Sequence, residues 1–172
     1  MEFEQLITER YSVRDFKQER VSKEHVDQIL SASHKAPTGC NFQPQRILVI
    51  NSKESIEKLK PCTKCHFNAP TAMLICHDKT ETWTRPYDGE KSSKIDAVIV
   101  ATHMMLKAHE IGVGCCWVMH FNPHLIKPAF NIPENIEPVA LLMMGYPSEN
   151  SKPSQLHNTF RLLSETVFYD TF

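Results

Sequence analysis

Two guanidinium groups and a hydroxyl alternate in RYSVRDF, residues 10 to 16. If this stretch is extended, its two-residue period puts Arg10, Ser12 and Arg14 on one face and Tyr11 and Val13 on the other. Guanidiniums hold phosphate oxygens through parallel charge-assisted hydrogen bonds, and a serine hydroxyl fills a remaining oxygen. The set suits a terminal phosphate, although a solvated loop has the same composition. A second stretch, APTGCNFQPQ at 36 to 45, is stiffened by prolines and freed by one glycine. Gln43 precedes Pro44, which predicts extended backbone there and places Asn41 and Gln43 on the same side. Each side-chain amide offers a donor and an acceptor together, matching a heterocycle edge that alternates carbonyls and N–H groups. A capped turn with both amides on local backbone is the competing reading.

Residues 62 to 66, CTKCH, carry the C-x-x-C-H spacing of covalent haem attachment, and the first four could be a redox pair or half a zinc site. Haem attachment generally takes place outside the cytoplasm, and the opening MEFEQLITER lacks the basic and then apolar regions of a signal peptide. Zinc needs two more ligands, and Cys40, Cys76, Cys115 and Cys116 supply no second C-x-x-C. No strand runs straight into C-x-x-C and a long helix, as a dithiol pair would need. The leading reading of CTKCH is a polar turn after a helix ended by Pro61, and a metal or thiol role for Cys62, Cys65 and His66 stays open. GVG at 112 to 114 lacks the third glycine of a dinucleotide fingerprint and follows a helix, which excludes a Rossmann site. There is no G-x-S-x-G elbow, Walker loop, H-E-x-x-H or carboxylate pair. A cofactor that brings its own reactivity accounts for binding groups without an acid, base or nucleophile.

The elements that must position these groups follow one another without a repeat or a linker. Helices are predicted at 2 to 9, with Phe3, Leu6 and Ile7 on one face, and from Ser22 to before Pro37, with Val26, Ile29, Leu30 and Ser33 inward. Ser52 caps another helix running to Lys60, and Asn122-Pro123 opens a short one. The stretch 92 to 112 is the expected central helix, with Ile95, Val98, Ile99, Thr102, Met105, Leu106 and His109 as its core stripe and Gly112 at its end. Strands are predicted at 46 to 51, 72 to 77, 114 to 119 and 138 to 144. Their continuous apolar runs indicate a sheet covered on both faces, in an α/β or α+β sandwich. Adjacent Cys115 and Cys116 then point to opposite faces as packed thiols. At 172 residues, one domain is the default. With 19 Lys plus Arg against 20 Asp plus Glu, no global charge attracts nucleic acid or an anionic membrane. No run reaches the roughly 20 apolar residues of a bilayer span, so a cytoplasmic protein is expected.

Taken together and in order, RYSVRDF, APTGCNFQPQ, the helix with Asp96 leading to GVGCCW, LMMGYP at 142 to 147 and RLLSETVFYD at 161 to 170 resemble the nitroreductase family of FMN-dependent oxidoreductases. The resemblance spans nearly the whole chain. It implies an α+β fold, an α/β sandwich with a central, mostly antiparallel sheet flanked by helices, in an intertwined homodimer. One nitroreductase-like domain would cover 1–172, with a tail from about 153 to 172 wrapping the partner.

Carried over by position, the resemblance implies that Arg10, Ser12 and Arg14 hold the FMN phosphate, with Tyr11 beside them and Arg161 as a further contact. Pro37, Thr38, Gly39, Asn41 and Gln43 would surround the flavin, some of them from a second subunit. Trp117, Val118, Met119 and His120 would lie along the ring, the Met119 N–H facing flavin N5. Cys40, Phe42, Trp83 and Tyr87 are candidates for the substrate side, the last two in the polar segment 78 to 91. Tyr11, where a second basic residue is frequent, and Cys40 in the flavin loop depart from the family pattern. The implied activity passes a hydride from NAD(P)H through FMN to a nitroaromatic, quinone or related acceptor, with no catalytic side chain and no metal required. Flavin reductases and other flavin enzymes share the scaffold, and a non-enzymatic flavin- or metal-binding role is the remaining alternative.

Overall fold

The computed structural model describes residues 1–172. The apolar runs form β1 (Gln45–Ile50), β2 (Thr71–Asp78), β3 (Gly114–Val118) and β4 (Ile136–Gly145). They make one sheet in the order β1-β2-β4-β3, antiparallel throughout. The helices are α1 (Phe3–Glu9), α2 (Lys23–Ser33), α3 (Lys53–Leu59), α4 (Ser93–Glu110) and α5 (Pro123–Ala129). Their starts follow the capping chemistry expected of them. Ser22 Oγ accepts from the His25 N–H, Ser52 and Ser55 form a reciprocal capping box, and Asn122 Oδ1 accepts from the His124 N–H.

Alternation along the strands feeds two core layers. On one face Met73, Ile75, Cys115, Leu142 and Met144 pack with α2 and α4. On the other, Leu74, Cys76, Cys116, Leu141 and Met143 pack with Val13, Phe16, Leu59 and Ile126. The sheet is thus covered on both sides, and Cys115 and Cys116 fall in opposite layers as free thiols.

α4 lies the other way round from its expected orientation. Ala97, Val100, Ala101, Met104 and Ala108 face the sheet, whereas Ile95 is 55% exposed, Val98 36% exposed and Thr102 exposed. Small side chains let the helix axis approach the already filled sheet, so the larger apolar set turns outward. α1 also leaves Phe3 and Ile7 exposed. No helix is long and apolar enough to cross a membrane.

RYSVRDF runs along the free edge of β3. Ser12 and Cys115 form a parallel bridge, the Val13 N–H donates to the Cys115 carbonyl at 3.1 Å, and Phe16 bridges Pro147. Further ties come from the Lys17 N–H to the Tyr146 carbonyl, 2.8 Å, and from the Tyr11 and Ser151 hydroxyls, 3.1 Å apart. Beyond residue 152 the chain makes only two short 3-10 turns, Gln155–Asn158 and Leu163–Glu165, and buries no residue.

Candidate functional site

Three groups of the expected residues occupy three places around α4 and β3. The first is a cleft of about 180 Å3 between the N-terminal segment and the C-terminal end of α4. Arg10, Tyr11 and Ser12 line one wall, Met105 and His109 another, and Cys115 and Trp117 of β3 the floor. Arg10 and Ser12 therefore share a concave surface, but Tyr11, which alternation assigns to the opposite face, lines it with them. Arg14 does not line it. Its Nη1 donates to the Ser12 carbonyl at 3.2 Å and its guanidinium stands 6.0 Å from the centre of the Phe67 ring. Arg161 is exposed in the tail and is not part of this cleft. The segment can approach β3 because Gly114 has no side chain: a Cβ there would meet Val13 atoms at 2.9 to 3.0 Å.

The second place is the loop 36 to 45, at the other end of α4. Buried Asp96, in the first turn, accepts from the Gly39 N–H at 2.9 Å through Oδ1 and from the Ser92 hydroxyl at 2.8 Å through Oδ2. A carboxylate is favoured there by the positive end of the helix dipole. A Cβ at Gly39 would lie 2.9 Å from Ser92 Oγ and 3.3 Å from Trp83 Cβ, so these side chains would have to shift to admit one. The loop is not extended as expected from Pro44. Gly39–Asn41 form a 3-10 turn, and Cys40, Asn41 and Gln43 all have positive φ, 46°, 58° and 50°. The turn closes through the Gln43 N–H donating to Thr38 Oγ1 at 3.1 Å, a local bond that overrides the pre-proline preference. The alternation argument for Asn41 and Gln43 therefore fails, although both are exposed, together with Pro37, Cys40 and Phe42. Trp83 is half-buried against Gly39, while Tyr87 is 94% exposed on a turn closed by the Arg85–Asp88 ion pair.

The third place is the end of β3. Val118 is buried, whereas Met119, 60% exposed, and His120 open into a cleft whose opposite wall is Pro61, Cys62, Thr63 and Lys64. CTKCH thus packs directly beside residues 119 to 122, a placement that sequence spacing does not reveal. Thr63 Oγ1 donates to the His120 carbonyl and accepts from the Cys65 N–H, and the Cys62 carbonyl accepts from the Asn122 N–H at 2.8 Å. His66 Nδ1 accepts from the Asn68 N–H at 3.0 Å, fixing a turn in which Phe67 and Asn68 have positive φ. Burial pushes the Cys62 thiol up, away from the thiolate that metals and disulfides require. No three His, Cys, Asp or Glu side chains converge on a point that could hold a metal ion. The pentapeptide is a brace for the end of β3.

The Asp96–Gly39 contact and His109 in the first cleft are separated by 13 residues of one helix, or roughly 20 Å at 1.5 Å per residue. Within one chain the two groups of residues do not meet.

The sequence matches the nitroreductase family model over residues 7–74 and 63–146. A nitroreductase family protein from Clostridium difficile 630 is 43% identical, with each chain covered in full and a TM-score of 0.93. A protein solved in complex with FMN, from Desulfovibrio desulfuricans, is 28% identical over 98% of this chain and 96% of its own, with a TM-score of 0.80. An NADPH-dependent oxidoreductase of Staphylococcus saprophyticus is 25% identical over 95% of this chain and 71% of its own length. With its antiparallel sheet between two helical layers, its Arg10–Ser12 cleft beside β3 and its glycine loop docked on α4, the chain belongs to the nitroreductase family.

Proposed function

We propose that this chain is an FMN-dependent oxidoreductase that uses NAD(P)H to reduce a nitroaromatic, quinone or related acceptor, and that it works as a homodimer. The observation that carries the reading is the cleft in which Arg10 and Ser12 converge next to β3, with room for a phosphate and chemistry suited to one. FMN, when bound, supplies the redox chemistry, taking a hydride from NAD(P)H and passing it to the acceptor. Arg10 and Ser12 hold the phosphate, with Tyr11 at the rim. Arg14 adds long-range charge and stiffens the backbone through the Ser12 carbonyl, and Arg161 reaches the phosphate when the tail is docked. Trp117, Val118, Met119 and His120 would line the ring of a bound flavin, with the Met119 N–H as a candidate donor to it. Pro37, Thr38, Gly39, Asn41 and Gln43 complete the site from a second copy, with Cys40, Phe42, Trp83 and Tyr87 toward the substrate.

The homodimer reading is supported by the distance along α4 and by its outward stripe. Two copies of α4 packed antiparallel about a two-fold axis set the Asp96 end of one chain against the His109 end of the other, which brings the separated groups together twice. The same packing buries Ile95, Val98 and their half-exposed neighbours Ile99, Met105 and Leu106, an apolar surface too continuous for scattered exposure. The domain then comprises the whole chain, and its exposed tail, with Phe160, Leu162, Leu163 and Phe172, wraps the partner.

The test is a flavin titration of apoprotein carrying Arg10→Ala and Arg14→Ala together. Loss of one charge-assisted phosphate contact and of the nearby charge lowers FMN affinity about 100-fold. An unchanged affinity in the double variant refutes the phosphate assignment.

A further inference from the structure

The cleft at the end of β3 is larger than a brace requires. Its space of about 530 Å3 falls within the roughly 300 to 1,000 Å3 typical of small-molecule sites. Pro61, Phe121, Pro123 and Leu125 give it apolar walls, and Met119, 60% exposed, and Leu125, 47% exposed, stand open to a ligand. Its polar groups are largely engaged already. Thr63 Oγ1 bonds the His120 carbonyl and the Cys65 N–H, and Asn122 Oδ1 caps α5. Lys64 is the exception. It is exposed, it takes part in none of the ion pairs of the chain, and no carboxylate lines the cleft to neutralise it. A single unneutralised charge beside apolar walls focuses its field on whatever enters.

The backbone fixes where that charge starts. Thr63, on one side of Lys64, is pinned to the His120 carbonyl, and the Cys65 N–H, on the other, is pinned to Thr63. The lysine stem therefore springs from a point held against the end of β3, the strand end that borders the flavin ring on the reading above.

We propose that this cleft is the subsite for the electron acceptor, and that Lys64 selects acceptors carrying an anionic group, an aromatic carboxylate being the simplest case. The apolar body of such a molecule rests against Pro61, Phe121 and Leu125, and its carboxylate meets the ammonium. The inference rests on the FMN reading and names the substrate class of that site. It also gives CTKCH a task beyond bracing: Thr63 holds the wall in place and Lys64 reads the ligand.

The experiment uses FMN-loaded protein and two ligands that share a ring and differ in charge, benzoate and benzamide, titrated by calorimetry at neutral pH. Neither carries a nitro group, so binding is read without turnover. Wild type is expected to bind benzoate about 3- to 5-fold more tightly than benzamide at low ionic strength, with the gap closing at high salt. Lys64→Gln should make the two affinities equal and Lys64→Glu should reverse their order, while both variants keep their FMN, which shows them folded. The ratio of kcat/KM for 4-nitrobenzoate over 4-nitrobenzamide should fall in step. Equal affinities in wild type, or a benzoate preference that survives Lys64→Glu, overturn the inference and leave the oxidoreductase reading standing. So does a Lys64→Gln variant whose flavin is bleached more slowly by NADPH while its benzoate affinity is unchanged, because the cation then serves the donor. A wild-type protein that takes up no FMN refutes the oxidoreductase reading, and the acceptor subsite with it.

Discussion

Replacing Asp96 by alanine should release the loop that carries residues 37 to 43. The carboxylate accepts two hydrogen bonds, from the Gly39 N–H at 2.9 Å and the Ser92 hydroxyl at 2.8 Å. Hydrogen bonds to a charged group contribute about 1.5 to 3 kcal/mol each, so simple addition gives about 3 to 6 kcal/mol. Two corrections lower that sum. Gly39 and Ser92 are only half-buried, so water can reach both donors once the loop lifts. Alanine is also a better helix former than aspartate, by roughly 0.5 kcal/mol. The expected net loss is about 2 to 3 kcal/mol, or a fall in Tm of about 4 to 12 °C for a chain of this size. Asp96→Asn keeps Oδ1 for Gly39, and the Ser92 hydroxyl can turn to accept from the new amide, so it should cost about 1 kcal/mol. Urea unfolding gives the global figure, and hydrogen exchange at the Gly39 amide gives the local one, with about 30-fold faster exchange expected for 2 kcal/mol. An alanine variant within about 0.5 kcal/mol of wild type, with Gly39 equally protected, would show that the buried carboxylate does not hold the loop.

Two further outcomes test other parts of the fold. Gly114→Ala places a Cβ 2.9 to 3.0 Å from Val13 and should push the 10-to-14 segment off β3, costing about 1 to 3 kcal/mol and weakening FMN binding. Adding Val13→Ala should restore much of both, measured as a coupling energy in a double-mutant cycle. Asp78 has its pKa depressed to about 2 by hydrogen bonds from the Thr80 side chain and N–H, by Asn135 and by Arg46. Its stabilisation is therefore present above its ordinary value of 3.8 and drains away as pH falls from there toward about 2. Asp78→Asn should flatten the acid limb in that window in a pH series of urea midpoints, and an unchanged limb would remove Asp78 from the account of acid lability.

Much of the architecture was legible because the cues were local. Ser22, Ser52 and Asn122 announce their helices by capping chemistry, and the strand runs read as doubly covered because both layers need apolar side chains. The order of motifs, from RYSVRDF to RLLSETVFYD, carried the family, although no single motif was specific. α4 was misread because periodicity finds the large apolar residues, not the small ones. The deciding quantity was how closely its axis approaches the sheet, which depends on what the strands already fill. Gln43 was misread because the preference before Pro44 is weak and Thr38 offers its N–H a local acceptor. Neither the pairing of CTKCH with the end of β3 nor the position of His109 beside Arg10 leaves a trace in spacing. They join residues 57 and 99 positions apart, and only the fold decides which such pairs meet.

The way RYSVRDF is fastened bears on how the chain is made. Val13 is tied to Cys115, Lys17 to Tyr146, Tyr11 to Ser151, and Asp15 accepts from the Ser148 N–H at 3.1 Å. The segment is thus clamped by partners synthesised more than a hundred residues later. Closing such long loops is costly and slow. During vectorial synthesis Arg10 and Ser12 have no wall to stand on until β3 has emerged, and the clamp is finished only when the turn after β4 leaves the ribosome. The cleft lined by Arg10 and Ser12 is therefore a late product of synthesis, and no nascent fragment ending before Tyr146 can fasten it.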